Sequence, residues 1–535
     1  MAYPFLLIAG LVFLAVAVIA FFWPPILWLL ILLVPLFLWG LRDLMQTRHA
    51  VLRNFPLLGT FRYALEMIRP EINQYFVESN TDGRPFSREQ RSIVYQRAKL
   101  QLQTVPFGTQ LDVYAPGYEW IDHSIAARKP AHAPRITIGG DQCTQPYEAS
   151  LLNVSAMSYG SLSGASIRAL NGGAKIDHFA HNTGEGSISD HHRQGGDLIW
   201  QIGTGYFGCR NHDGTFNIDG FTKRSTADEV KLIELKLSQG AKPGHGGILP
   251  AAKITDEIAR IRDVPKGQDV LSPPGHSAFD SPRSLLEFIA TLREASGGKP
   301  TGFKLCVGDQ AEFLGICRAM VETGIRPDFI TVDGGEGGTG AAPLEFSNRM
   351  GSPLIDGLVF VHNALVGFDL RRHIKIMASG GVITGFDMAV RLAAGADLCA
   401  SARGFMLALG CIQARRCNSN HCPVGVATNN PKLERGLDVG DKKVRAGNWH
   451  AQTVHAFMEL LGASGIDHPD DLRPHHIHRR LSAERVASYE EIYDWLETGE
   501  LLDGESDRPD WAQWLARSRS DAFLPTPAAR PARAG

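Results

Sequence analysis

Cys411, Cys417 and Cys422 form a Cys-x5-Cys-x4-Cys run that ends in Pro-Val-Gly. Thiolates at this spacing can converge on one soft inorganic centre. Three donors suit a three-iron (3Fe–4S) cluster better than a four-iron cubane. A structural zinc would need a fourth ligand, and His421, adjacent to Cys422, is poorly placed to join the same tetrahedron. Three unrelated core cysteines are the alternative.

A second group of residues lies on glycine-rich turns. Ala378-Ser-Gly-Gly-Val-Ile-Thr-Gly385 follows an apolar run and precedes a helical one, and Ala400-Ser-Ala-Arg-Gly404 repeats the arrangement. Ser379, Gly380, Gly381, Ala402 and Arg403 thus offer backbone N–H groups to a phosphate, pointing to FMN or a sugar phosphate. Asp333-Gly-Gly-Glu-Gly-Gly-Thr-Gly340 brings backbone close to a planar ring at Gly334 and Gly335, or is only a long turn. Lys304, alone in an apolar run, either stands beside a flavin's N1/O2 edge or pairs with a core carboxylate. In Gln239-Gly-Ala-Lys-Pro-Gly-His-Gly-Gly247, Lys242 could join Arg262 in holding the two carboxylates of a dicarboxylic acid. A solvated helix charge is the plainer reading of Arg262. Glu185, on Thr183-Gly-Glu-Gly-Ser187, could orient an amine, act as a base, or cap a helix.

The elements that must position these groups follow from the apolar periodicity. Eight short apolar runs end at Met157, His181, Trp200, Lys236, Leu305, Val332, Met377 and Ala400, with helical stretches such as 282–295, 311–323 and 385–394 between them. The pattern predicts an α/β fold, a (β/α)8 TIM barrel whose reactive groups sit at the C-terminal ends of the strands. A doubly wound sheet is the structural alternative.

Among 535 residues, 54 Lys+Arg oppose 56 Asp+Glu, leaving a net charge of −2 and no electrostatic case for a nucleic-acid partner. Eight cysteines, five of them scattered, fit a reducing compartment rather than a disulfide framework. No charged residue occurs before Arg42, and Pro24-Pro25 interrupts the apolar run near its middle. About 20 apolar residues cross a bilayer, so residues 1–41 are expected to form an anchor of two short transmembrane helices, 4–23 and 26–41. A single tilted span is the alternative. Arg42, Arg48 and Arg53 follow directly, which places the remainder on the cytoplasmic side of a cell inner membrane. Residues 42–134 read as a mostly helical connection, 436–520 as a helical extension and 521–535 as a disordered tail.

Read together, Ser155-Ala-Met-Ser-Tyr-Gly-Ser-Leu-Ser163, Gly184-Glu-Gly186, Gln239–Gly244, Leu271-Ser-Pro-Pro274, Gly337–Pro343 and the cysteine run resemble the flavin domain of glutamate synthase, over about residues 135–435. The resemblance implies an FMN barrel, with Ala156, Met157 and Ser158 among the cofactor contacts, beside a 3Fe–4S cluster. It implies hydride delivery to 2-iminoglutarate, formed from 2-oxoglutarate and ammonia. Gln239, Lys242 and Arg262 would hold the keto acid, and Glu185 would stand near the ammonia exit. No amidotransferase domain precedes the apolar run, so ammonia is expected from elsewhere. No second Gly-x-Gly-x-x-Gly unit appears, so electrons are expected from ferredoxin or an NAD(P)H-oxidising subunit. His245 and Ile248 stand where the family has glutamate and glutamine, near the expected keto-acid site. The main expectation is therefore a membrane-anchored enzyme making glutamate or a relative. The alternatives are an amino- or hydroxy-acid dehydrogenase feeding the membrane electron chain and a non-catalytic electron-transfer subunit.

Overall fold

The computed structural model describes residues 2–129 and 132–527, so most of the expected disordered tail lies outside the described residues. The chain divides into two compact units, Met1–Arg88 and Glu89–Gly535.

In the first unit, helix α1 (Ala2–Phe22) is followed by a 3₁₀ turn, Pro24–Leu29, and helix α2 (Leu30–Met45). Proline at the start of the turn removes the donors that would continue α1. Phe37 stacks on Phe5 at 6.1 Å and meets the edge of Phe13 at 5.5 Å, which sets the helices side by side. A side chain at Gly40 would run into the Phe5 ring, so glycine is what permits this approach. Pro4–Phe22 and Pro24–Met45 are each long and apolar enough to cross a membrane. Helix α3 (Leu58–Ile72) follows, its start fixed by the Leu57 N–H donating to the Asp43 carboxylate at 3.2 Å.

In the second unit all eight expected strands are present: β1 (Leu152–Val154), β2 (His181–Asn182), β3 (Leu198–Ile202), β4 (Val230–Lys236), β5 (Thr301–Leu305), β6 (Phe329–Asp333), β7 (Lys375–Ser379) and β8 (Leu398–Ser401). They pair in parallel and in sequence order, and β8 closes on β1 through Cys399 opposite Leu152. Closure decides against the doubly wound sheet. β1 ends three residues before the expected Met157, although Ser155 N still donates to Ser401 O at 3.0 Å.

Alternation along β4 sends Glu234 and Lys236 to one face. Glu234 is fully buried and accepts from Asn182 Nδ2 (2.8 Å), Gln201 Nε2 (2.6 Å) and Thr331 Oγ1 (2.6 Å), so one carboxylate ties together β2, β3, β4 and β6. Between β4 and β5 the chain makes a long excursion. Ile248–Leu249 pairs antiparallel with Val270–Leu271, and helix α5 (Asp256–Arg262) starts at Thr255, whose side chain caps Ile258 N.

Outside the barrel, helix α4 (Gly164–Asp177) packs against helix α6 (Val439–Ala463); a Cβ at Gly173 would lie 2.7 Å from that of Ala446. The carboxy-terminal extension is not helical throughout. Ile477–Arg480 and Val486–Ser488 join Glu119–Ile121 in a three-stranded antiparallel sheet.

Candidate active site

The strand ends deliver the expected groups to one face of the barrel. Glu185 lies on the short turn Gly184–Gly186 after β2. Gly184 has φ +62°, and a Cβ there would sit 2.6 Å from Ser158 N, so the turn is pressed against the segment leaving β1. This fixes Glu185 over the barrel, with its Oε1 3.0 Å from Lys236 Nζ. Burial pushes the Glu185 pKa upward. Lys236, then Arg262 and Lys242, outweigh that and hold it below the ordinary carboxylate value.

A cleft opens here, lined by Glu185, Thr204, Lys236, Gln239, His245 and Pro274 among others. Lys242 is buried at its edge, and no ion pair or hydrogen bond holds its Nζ among the described residues. Burial, with Lys236 adding repulsion and Glu185 opposing, lowers its pKa to about 8. Arg262 is not the solvated helix charge of the plainer reading. It is 4% exposed, its Nη2 donates to Tyr159 O at 2.8 Å, and its guanidinium lies 5.2 Å from the Phe207 ring centre. Its Nε is buried with no hydrogen-bond partner among the described residues, and burial lowers its pKa to about 10.

Lys236 is a site residue that the sequence reading passed over. It closes a strand, Val230–Lys236, that also carries Lys231 and Glu234, so it lacked the signal that picked out Lys304. His245 Nδ1–H donates to the Gly246 carbonyl at 2.9 Å, and its ring meets Phe346 edge-on at 5.2 Å. Ile248 lies in the excursion's hairpin and not among the cleft residues.

On the neighbouring strand, in register with Lys236, Lys304 pairs with Asp333 at 3.1 Å, the core-carboxylate reading of that lysine. Asp333 also accepts from Gly240 N at 2.9 Å. A Cβ at Gly240 would fall 1.7 Å from the Gly334 carbonyl oxygen, so the loops after β4 and β6 touch backbone to backbone. Gly335 N donates to Ser352 O at 2.8 Å. Ser155 and Ser379 share a hydroxyl contact of 2.9 Å between the ends of β1 and β7, with Ala156 and Met157 just beyond. Gly380 (φ +146°) and Gly381 (φ +63°) form the expected turn. Arg391 Nη2 donates to Gly380 O at 3.4 Å, and Arg403, which follows Ala402, donates to Glu336 O at 3.0 Å. Two glycines in conformations that side chains resist, with the Arg391 guanidinium alongside, fit a phosphate end of FMN.

The three cysteines share the loop after β8. Among the described residues, no three His, Cys, Asp or Glu side chains are close enough together to hold a metal ion. Burial, and then the neighbouring thiols, push Cys411 up to about 11, and Cys417 is raised for the same reasons. A cluster on these sulfurs therefore has to displace protons as it assembles. Cations stand by to favour the thiolates: Lys253 faces Cys417 and Cys422, and Arg91 faces Cys411. An all-sulfur donor set with basic neighbours fits an iron–sulfur cluster. Asn429 Nδ2 donates to both Gly160 O and Lys253 O at 2.8 Å, and Asn420 Nδ2 to Ala252 O at 2.8 Å, so the cysteine loop is bonded to the excursion that carries Arg262.

A closed parallel barrel with charged and glycine-rich strand ends gathered at one mouth defines a (β/α)8 enzyme. The chain belongs to the glutamate synthase family, whose members are oxidoreductases acting on CH–NH2 donors. Residues 131–467 match the conserved region in glutamate synthase. That match extends past the expected 435 to take in α6. The chain is 37% identical over 485 residues to the glutamate synthase large subunit-like protein YerD of Bacillus subtilis (strain 168), covering 83% of this chain and 92% of that one. It is 33% identical over 328 residues to the archaeal glutamate synthase (NADPH) of Methanocaldococcus jannaschii, and it spans 60% of that protein's length. Among solved structures, a mutant flavocytochrome b2 with benzoylformate covers 85% of this chain and 96% of its own at 13% identity. The TM-score is 0.42, a likeness too distant to carry an argument.

Proposed function

We propose that the protein reductively aminates 2-oxoglutarate, or a related 2-oxo acid, to glutamate with ammonia supplied from elsewhere, while α1 and α2 hold it at a membrane. The observation that carries this reading is the charge arrangement at the cleft. Three cations, Lys236, Lys242 and Arg262, surround the single carboxylate Glu185, and the surplus positive charge suits a dicarboxylate. Lys242, lacking an ion pair among the described residues, takes one carboxylate as a point charge. The Arg262 fork and Gln239 receive the other. Glu185, kept ionised by its neighbours, accepts hydrogen bonds from the incoming amine and orients it.

FMN would be held by the Gly380–Gly381 turn, Ser379, Ala402 and Arg403 at its phosphate and by Ala156–Ser158, Lys304, Gly334 and Gly335 along its ring; the cluster would sit on Cys411, Cys417 and Cys422. When bound, the flavin supplies a hydride and the cluster passes single electrons from ferredoxin or an NAD(P)H-oxidising subunit. Arg42, Arg48 and Arg53, just beyond the apolar stretch, favour a cytoplasmic catalytic unit at an inner membrane.

His245 favours a second reading, an amino- or hydroxy-acid dehydrogenase. Its Nδ1–H donates to Gly246 O, which leaves Nε2 as an acceptor in the cleft that Glu185 also lines. Anaerobic flavin spectra decide between the two. The first reading expects reduced flavin to be reoxidised by 2-oxoglutarate plus ammonium. Indifference to that mixture, with reduction by an amino or hydroxy acid instead, overturns it in favour of the second.

A further inference from the structure

Helix α3 carries a face that the fold leaves unpartnered. Leu58, Phe61, Leu65, Ile68 and Ile72 are 39–68% exposed. At about 100° per residue they fall on one arc of about 80°. Arg62 and Arg69 border that stripe, and neither has an ion-pair partner among the described residues. Beyond the helix the turn Asn73–Val77 exposes Tyr75, Phe76 and Val77. An apolar stripe this long, edged by guanidinium groups, is the signature of a helix lying in the plane of a membrane surface.

Two observations make a bilayer the occupant. The stripe is continuous with an apolar surface of the same kind, since α1 and α2 expose most of their large apolar side chains. The start of α3 is also fixed to the last turn of α2, where Asp43, itself buried, accepts the Leu57 N–H at 3.2 Å. Wherever the α2 terminus meets the headgroups, α3 is held at the same level.

We infer that α3 and the turn after it form a second, interfacial element of the anchor, with the stripe in the acyl chains of a phospholipid leaflet and Arg62 and Arg69 on its phosphates. This rests on the reading of α1 and α2 as a membrane hairpin. Apolar area dominates, because Glu66 and Glu71 balance the two arginines along the helix; insertion therefore does not require anionic lipid.

The test uses the full-length protein in vesicles of phosphatidylcholine that carries a diazirine in its acyl chain, with and without phosphatidylglycerol. After photolysis, lipid adducts are mapped by mass spectrometry. Adducts are expected in 58–77 as well as 4–41, with both lipid compositions. The Leu65→Asp/Ile68→Asp pair should lower the 58–77 yield at least fivefold without changing that of 4–41. Leu65→Ala/Ile68→Ala, which retains helix propensity, should give an intermediate loss. Labelled 4–41 with unlabelled 58–77 overturns this inference alone. Absence of label from 4–41 overturns the hairpin reading beneath it.

Discussion

At the scale of single residues, the cleft is a problem in where charge sits, and Lys242 makes that testable. Its pKa is lowered to about 8, first by burial, so the free site is mostly cationic at pH 7 and loses its charge as pH rises through 8. The carboxylates of 2-oxoglutarate stay ionised throughout. Affinity for 2-oxoglutarate, followed by flavin absorbance or calorimetry, is therefore expected to be flat below about pH 7.5 and to weaken toward tenfold per pH unit above about 8. Lys242→Gln should bind weakly at every pH, losing about 1.5–3 kcal/mol of a charge-assisted contact at pH 7. The Glu185–Lys236 pair gives a second case. Glu185→Gln leaves Lys236 largely buried without its counterion and should cost about 1–3 kcal/mol in a denaturant melt. Adding Lys236→Met should restore part of that loss, and a strictly additive double-mutant cycle would argue that the two do not interact. Why Lys304 was legible and Lys236 was not is a matter of position. Lys304 sits inside its apolar run, where a charge is conspicuous, whereas Lys236 closes its strand, where charges are ordinary. The burial of Arg262 was illegible for a related reason, since its helical setting resembles a surface and only the Tyr159 and Phe207 contacts show otherwise.

Among elements, the barrel strands could be read because each is a short apolar run stopped by Gly, Ser or Asp, and eight such runs with helices between admit few folds. The hairpin within the excursion could not. Its strands, Ile248–Leu249 and Val270–Leu271, are two residues each, too short for any periodicity to show. What the loops do to one another was equally hidden, because the Gly240–Gly334 approach joins residues 94 positions apart. Gly240→Ala must push two backbones apart and should cost about 1–3 kcal/mol or more. Because the displaced loop holds Gly334 and Gly335, we expect flavin to be lost on gel filtration while far-UV circular dichroism is retained. Cys417→Ser acts on another loop. It should abolish the iron content and the EPR signal of an oxidised three-iron centre while leaving flavin content near wild type. Stoichiometric zinc in the wild-type protein would sink the cluster assignment.

For the whole molecule, the break between compact units falls after Arg88, well beyond the Leu41 at which the apolar run ends. Composition marks only where charges begin, and the mixed pattern of α3 disguises an apolar surface. Removal of 1–88 is therefore expected to give a soluble, flavin-loaded protein, whereas removal of 1–41 should leave a product that still floats with vesicles through residues 58–77. Equal solubility of the two truncations would contradict this. Inside the second unit, Glu234 has a consequence for how the barrel comes apart. Its three donors belong to three other strands, so no partial opening that separates β4 from β2, β3 or β6 avoids stranding a carboxylate or its amide and hydroxyl partners in an apolar interior. Openings that part these four strands are thereby disfavoured. β2, β3, β4 and β6 are bound into one cooperative unit, and the rim loops can open and close without that wall giving way.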